Sequence, residues 1–173
     1  VNAGYDPRVL TEGRVDILAV FKSNEPDTIR RLGHAVTVWE PEDYGVPSMG
    51  LTFITRQSLA EGEPELVERF LKATLRGLKF AMENTEEAVD TVMKYAPSES
   101  REHQRFMLET ELRDAVSPLT DEHGLGWMAE EQWESLYQRL LEFEALPAPF
   151  DFRTAYSDRF LRAVYSGGSL RWP

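Results

Sequence analysis

Residues 14–47 constrain the fold of this chain more than any other segment, because short apolar runs alternate there with polar turns and one helical pattern. The run 17–21 is short and rich in β-branched and aromatic residues, which is typical of a strand covered on both faces. It ends in a polar turn where Ser23 or Asn24 can cap a helix that carries Pro26 in its first turn. Asn24 and Glu25 are therefore predicted at the carboxyl end of a strand, which is where open α/β sheets bind ligands.

The same alternation extends to both sides of this segment. The predicted strands are residues 1–3, 16–21, 35–39 and 51–55. Short helices between them are predicted to begin near Pro7 and Pro26 and to end at Gly13 and Gly33. The first third of the chain is therefore predicted to be βαβαβ-like, with parallel pairing of its strands.

The remaining two thirds are predicted to be helical. After Pro64, apolar residues recur at helical spacing over about five turns. Asn84 followed by Glu87 has the pattern of a capping box at the start of the next helix. The other predicted helices begin at Ser98 or Ser100, at Glu130 and near Asp151, and residues 167–173 are predicted to form a tail. The predicted fold class is α/β with a helix-rich carboxyl-terminal part.

The composition argues against several classes of protein. The chain has 30 acidic and 19 basic residues and a net charge of −11, with no visible basic face to neutralise the phosphates of a nucleic acid. Without cysteine, disulfides and thiolate chemistry are excluded. His34, His103 and His123 have no partners at metal-ligand spacing, so we expect no metal site and no cofactor. No run reaches the roughly 18–20 apolar residues of a membrane span.

The chain begins with Val1 rather than an initiator methionine, and it opens as if already inside a strand. We therefore expect that an amino-terminal portion is missing from these residues. Any secretion signal or lipoprotein anchor would lie in that portion.

Several short motifs occur in an order that resembles a known family. They are GYDP at 4–7, GRVD at 13–16, FKSNEP at 21–26, DYGVP at 43–47, FLKATLRG at 70–77, NTEEA at 84–88, and GW at 126–127 followed by Trp133. Together they resemble the solute-binding proteins of ABC importers, in the branch for thiamine pyrimidine precursors, nitrate and sulfonates. The resemblance covers nearly the whole chain, and it corresponds to the later part of such a protein.

The resemblance implies a periplasmic-binding-protein-like fold of type II, with two α/β lobes around a ligand cleft. This chain would supply the second lobe and a helix-rich carboxyl-terminal part, with the first lobe largely missing. Residues 1–46 would form the βαβαβ part of the second lobe. Residues 47–173 would form a return strand at the hinge and the helical carboxyl-terminal part of the first lobe. The resemblance also implies a hinge near 44–50, an ABC permease as partner, no catalysis, and a periplasmic or extracellular membrane-anchored location in a bacterium.

The same resemblance singles out ligand-binding residues. In the pyrimidine-precursor branch an aromatic residue and a glutamate four positions later lie in the cleft, which corresponds here to Phe21 and Glu25. Phe21 lacks the hydroxyl of a tyrosine, so it keeps ring stacking and loses one hydrogen bond. Asn24 is an N-cap or a donor to the ligand, and Tyr44 and Tyr5 line the cleft or pack on the surface. The expected solute is small, heteroaromatic and pyrimidine-like, with a flavin or a sulfonate as alternatives.

Each of these residues also has a purely structural explanation. Glu25 in a first helical turn would complement the helix dipole for about 0.3–1 kcal/mol, and Phe21 at the end of an apolar run could belong to a core. Two other functions stay open. One is an enzyme of pyrimidine synthesis, which the absence of the Cys-rich motif of the eukaryotic branch disfavours. The other is a helical interaction module without a small-molecule ligand.

Overall fold

The computed structural model describes residues 6–46 and 49–172, and these form nine α-helices, two 3-10 turns and one hairpin. The helices are α1 Arg8–Thr11, α2 Glu25–Arg31, α3 Gln57–Gly62, α4 Pro64–Glu83, α5 Thr85–Tyr95, α6 Arg101–Asp114, α7 Pro118–His123, α8 Glu130–Glu142 and α9 Arg159–Val164. The 3-10 turns are Pro41–Tyr44 and Phe152–Thr154, and the strands are β1 Tyr165–Ser166 and β2 Ser169–Leu170. None of the helices in the described ranges is both long enough and apolar enough to cross a membrane.

The chain divides into two compact units. The first unit consists of Val1–Trp39 and Phe80–Arg113, and the second of Glu40–Lys79 and Asp114–Pro173. Helices α1, α2, α5 and nearly all of α6 therefore belong to the first unit. Helices α3, α7, α8 and α9, most of α4 and the hairpin belong to the second.

In the first unit each of four helices contributes a branched aliphatic side chain to the buried residues. These residues are Val9 of α1, Ile29 of α2, Val89 of α5 and Leu112 of α6. Ser23, in the turn before α2, is also buried, and its hydroxyl donates to Glu111 Oε1 at 2.5 Å. This hydrogen bond satisfies a buried polar group and holds the turn against α6.

The second unit has a core built from α4, α9 and β1. Leu75, Leu161, Val164 and Tyr165 are buried together, and the partly buried Leu71, Leu125, Trp127, Met128 and Leu170 pack against them. Trp127 and Tyr165 meet edge to face, with ring centroids 6.5 Å apart, and the Tyr165 hydroxyl donates to the Leu125 carbonyl at 3.0 Å. The core of the second unit is therefore held together by apolar packing and by the hydrogen bond from the Tyr165 hydroxyl to the Leu125 carbonyl.

The long helices of the carboxyl-terminal part are confirmed, with α4 and α8 close to the predicted bounds. The capping box predicted at the start of α5 is wrong. Asn84 precedes α5, but its side-chain amide donates to the Phe80 carbonyl at 3.1 Å instead of capping the helix. A capping box occurs instead at α7, where the backbone N–H groups of Ser117 and Thr120 each donate to the other's hydroxyl. The hydroxyls of Ser117 and Thr120 therefore accept hydrogen bonds from backbone N–H groups at the start of α7. The Asn84 side chain makes no such bond at the start of α5.

The predicted carboxyl-terminal tail is also wrong. Strands β1 and β2 pair antiparallel, with Tyr165 opposite Leu170 and Ser166 opposite Ser169. Gly167 and Gly168 connect them with φ values of +54° and +74°. Two successive positive φ values are what a two-residue type I′ hairpin requires, and glycine adopts them without steric cost. The two consecutive glycines, Gly167 and Gly168, are therefore the sequence signal for this hairpin.

The predicted strands at 16–21, 35–39 and 51–55 are wrong for the part of the chain that the structure describes. Those residues carry no strand pairing, and large apolar side chains along them, such as Phe21 and Ile54, are 61% and 92% exposed. The reason is that an apolar pattern specifies which residues favour extended backbone but not which segment supplies the hydrogen-bonded neighbour. The described chain is therefore mostly helical, and the predicted parallel pairing is not observed. The strand predicted at 1–3 lies outside the described residues, and the division into lobes at 46/47 stays a prediction.

Candidate functional site

Three of the predicted ligand-binding residues lie in the single turn that leads into α2. The Phe21 backbone N–H donates to Glu25 Oε2 at 2.9 Å, and the Asn24 backbone N–H donates to the Phe21 carbonyl at 2.9 Å. Glu25 is partly buried, whereas the Phe21 ring is exposed. The turn therefore places an accessible aromatic ring and a carboxylate on adjacent parts of one short loop.

The second carboxylate oxygen of Glu25 also has a partner in this turn. Asn24 Nδ2 donates to Glu25 Oε1 at 3.2 Å. A carboxylate has about four lone-pair sites, so two hydrogen bonds leave capacity for a donor from a ligand. Glu25 is therefore held in place by its own loop and is still able to accept further hydrogen bonds.

Asn24 occupies the N-cap position of α2 as predicted, but its side chain makes no capping hydrogen bond. The amide lies instead between Glu25 and His103 of α6, and its Oδ1 is 2.9 Å from His103 Nε2. Asn24 is thus at the predicted N-cap position but does not make the capping hydrogen bond, and its alternative role as a donor to the ligand stays a prediction.

His103 is the residue that sequence reasoning missed. Its Nδ1 is 2.7 Å from Asp27 Oδ2, and the side chains of His103 and Asp27 are only 12% and 14% exposed. Arg31 Nε donates to the same Asp27 oxygen at 2.5 Å. His103 lies 76 residues beyond Asp27, and no sequence signal indicated that α6 packs against α2. The sequence alone therefore assigns no partner to His103.

The charge state of Asp27 follows from these contacts. Burial raises the pKa of the Asp27 carboxyl, but the hydrogen bonds from Arg31 and His103 outweigh burial and hold its pKa below the ordinary value of 3.8. A carboxyl whose pKa is lower in the folded state than in the unfolded state stabilises the fold above the unfolded pKa. That stabilisation is lost as the pH falls below 3.8 towards the folded pKa.

We accordingly expect Asp27→Asn to lower the free energy of unfolding near pH 7 by about 1.5–3 kcal/mol. The value should lie towards the lower end of that range because Arg31 is partly exposed and its pairing is screened. The measurement is urea denaturation of the wild type and the variant at about pH 7 and in acid. The two proteins should converge in stability as the pH falls, and a difference that stays constant would contradict the prediction.

The other two predicted ligand-binding residues are Tyr44 and Tyr5. Tyr44 ends the 3-10 turn Pro41–Tyr44 in the second unit, and its side chain is exposed. Tyr5 lies outside the described residues. The roles of these two tyrosines stay predictions.

Residues 6–46 and 49–172 contain no group of three or more histidine and acidic side chains arranged to hold a metal ion. Asp27, His103 and Asn24 supply hydrogen-bonding groups instead, and Arg31 already neutralises the carboxylate. The chemistry that this cluster can perform is hydrogen bonding and charge compensation.

Comparison with known proteins identifies the family. A family model described as "NMT1/THI5 like" matches residues 1–88, which is about half of the 173-residue chain. This chain belongs to the NMT1/THI5-like family. The matched residues include the turn at 21–25 and Tyr44.

Two curated relatives in the NMT1/THI5-like family are similar over most of this chain. The riboflavin-binding protein RibY of Chloroflexus aurantiacus is 28% identical over 154 residues, which is 87% of this chain and 43% of RibY. The formylaminopyrimidine-binding protein of Halalkalibacterium halodurans is 24% identical over 151 residues, which is 86% of this chain and 46% of that protein. The chain thus spans less than half the length of these relatives. No solved structure is significantly similar to it.

The predicted resemblance is therefore confirmed at the level of the family. Both relatives are named as binding proteins for small molecules, and neither is named as an enzyme.

Proposed function

We propose that this chain is part of the extracytoplasmic solute-binding component of an ABC importer, and that it binds a small heteroaromatic solute reversibly. Family membership supports the binding role, and the two relatives are named for riboflavin and for a formylaminopyrimidine, both of which are nitrogen heterocycles. The observation that carries the proposal is the turn in which an exposed Phe21 ring lies beside the Glu25 carboxylate. A flat ring that carries N–H groups matches both of these features.

The two side chains would divide the recognition between them. The exposed Phe21 ring offers a flat apolar surface on which a heteroaromatic ring can stack, for about 0.5–1.5 kcal/mol beyond area burial. Glu25 offers acceptor sites to amino or ring N–H groups, and charge-assisted hydrogen bonds of this kind contribute roughly 1.5–3 kcal/mol each. Asn24 would hold the carboxylate, and Tyr44 and Tyr5 would line the cleft from other segments.

A pyrimidine-like solute is our first choice of ligand, because an exocyclic amino group presents two N–H donors to one carboxylate. Riboflavin is the second candidate, because the riboflavin-binding relative is similar over 87% of this chain. Its larger ring system would place more area against Phe21, and its ring N–H would donate to Glu25. The two ligands therefore share the same contacts and differ in size.

We further propose that the binding unit has two lobes, that the segment near 44–50 acts as a hinge, and that the lobes close around the solute. The loaded protein would then deliver its solute to a permease in the membrane of a bacterium. No covalent step is part of the proposal.

Calorimetric titration of the intact gene product with formylaminopyrimidine and with riboflavin tests this function. We expect saturable binding of at least one of them, and native mass spectrometry of the protein as purified should show whether it already carries a bound molecule. The proposed function fails if neither compound binds and the purified protein carries no small molecule.

Glu25→Ala should weaken the binding of formylaminopyrimidine or riboflavin at least tenfold, which corresponds to about 1.4 kcal/mol. The reason is that the substitution removes the acceptor for the ligand N–H groups and leaves the ring surface of Phe21 in place. Glu87→Ala is the matched control, because Glu87 is exposed and lies in the first turn of α5. Both variants lose a first-turn carboxylate that complements a helix dipole. If both change the affinity equally, Glu25 does not contact the ligand.

A further inference from the structure

The cluster around His103 connects α6 to the turn that carries Glu25. His103 Nε2 lies 2.9 Å from Asn24 Oδ1, and the Nδ2 of the same amide donates to Glu25 Oε1 at 3.2 Å. On its other side His103 Nδ1 lies 2.7 Å from Asp27 Oδ2. A continuous chain of hydrogen bonds therefore runs from Asp27 through His103 and Asn24 to Glu25.

The chemistry of these groups determines the direction of each hydrogen bond. An ionised carboxylate only accepts, so Glu25 requires the NH₂ of Asn24 and turns the Asn24 oxygen towards His103. Asp27 is ionised and also only accepts. Both ring nitrogens of His103 thus face acceptors, and an imidazolium, which donates from both nitrogens, satisfies both of them.

A neutral imidazole cannot satisfy the same arrangement. It has one N–H, and the Asp27 carboxylate is a stronger acceptor than an amide, so the proton stays on Nδ1. Nε2 then becomes an acceptor, and the Asn24 amide has to rotate its NH₂ towards His103. This rotation removes a donor from Glu25 and places the amide oxygen beside the Glu25 carboxylate, which repels it.

We propose that His103 is the positioning residue of the binding site: through the Asn24 amide it sets the placement of the Glu25 carboxylate, and its protonation tunes affinity for the solute. This inference rests on the proposed function as far as affinity is concerned. The coupling from His103 to Glu25 rests on the geometry alone.

Several charged groups surround His103. Asp27 contacts the ring directly, and Arg31 compensates that carboxylate from the same helix. Glu25 lies beyond Asn24, and Glu102 precedes His103 on α6. Of these groups, only Asp27 and Asn24 make a direct contact with the ring.

In the first test, NMR monitors a pH titration of the intact gene product. The titration runs from about pH 5 to about pH 8, where histidine side chains usually change charge. We expect the side-chain amide resonances of Asn24 and the carboxyl carbon of Glu25 to shift together with the ring resonances of His103. In His103→Gln this common inflection should disappear. If Asn24 and Glu25 do not respond to the titration of His103 in the wild type, the proposal is overturned, whether or not any solute binds.

The second test is affinity for formylaminopyrimidine and riboflavin over the same pH range. Wild-type affinity should fall as the pH rises. His103→Ala should bind about 3- to 10-fold more weakly than the wild type at low pH, the range expected for losing one supporting hydrogen bond. His103→Gln, which can still donate to Asn24, should recover most of that affinity but without the pH dependence. Circular dichroism confirms that each variant is folded during the titration.

His34→Ala is the matched control, because His34 is exposed and follows α2 in the same unit. It should leave both the affinity and its pH dependence unchanged. If the wild type binds with a pH dependence that His103→Gln retains, the positioning role is wrong while the proposed function stands. If neither compound binds, the proposed function fails, and the NMR titration still decides the coupling between His103 and Glu25.

Discussion

Gly124→Ala is expected to lower the free energy of unfolding by about 2–5 kcal/mol. Gly124 is the C-cap that follows α7, with φ +110° and ψ +157°, a region of backbone conformation that is essentially restricted to glycine. A Cβ at this position would lie 2.5 Å from Cζ and 2.7 Å from Cδ1 of Tyr165. Tyr165 cannot move aside at low cost, because its ring is buried in the core and its hydroxyl is bonded to the Leu125 carbonyl.

The control for this substitution is Gly77→Ala. Gly77 lies inside α4, and a Cβ built on it meets no atom within 4 Å. Alanine favours a helix over glycine by roughly 0.5–1 kcal/mol, so Gly77→Ala should stabilise the protein. Chemical denaturation of both variants measures the two effects, and a Gly124→Ala protein as stable as the wild type would contradict the close contact with Tyr165.

Leu75→Ala should cost about 2–5 kcal/mol of stability, which is the usual range for a buried leucine. Leu75 is 3% exposed and lies on α4, where it packs with Leu161, Val164 and Tyr165. Its truncation leaves a cavity at the point where α4 meets α9 and β1. The loss should appear as a lower denaturation midpoint with an unchanged dependence on denaturant.

Leu66→Ala provides the comparison on the same helix, because Leu66 is 40% exposed. The same chemical change there should cost less than about 1 kcal/mol. If both leucines gave the same small loss, the core of the second unit would have to lie elsewhere than around Leu75.

The helices were predictable because their signals are local. The spacing of apolar residues after Pro64 and after Glu130 is sufficient to define α4 and α8. The strands were not predictable in the same way, because a strand exists only through a neighbour. The runs 17–21 and 51–55 have the composition of strands, yet the described residues give them no pairing.

The candidate site also contains both local contacts and contacts between segments that are distant in the sequence. The pairing of Phe21 with Glu25 was implied by the family resemblance, and in the structure the Phe21 backbone N–H donates to the Glu25 carboxylate across one turn. The contact of His103 with Asn24 and Asp27 depends on how α6 packs on α2. These residues are more than seventy positions apart in the sequence, and no local sequence pattern predicts a contact over that separation. Chemistry that depends on such packing is visible only in the structure.

The exposed apolar runs bear on how the protein has to be handled. Residues 17–21 and 51–55 contain no charge and no proline, and Phe21 and Ile54 expose most of their side chains. Uncharged stretches of this length and composition are templates for intermolecular β-pairing and aggregation. Concentrated samples are therefore expected to self-associate through these runs, and the binding and unfolding measurements need dilute protein and light scattering as a check for aggregates.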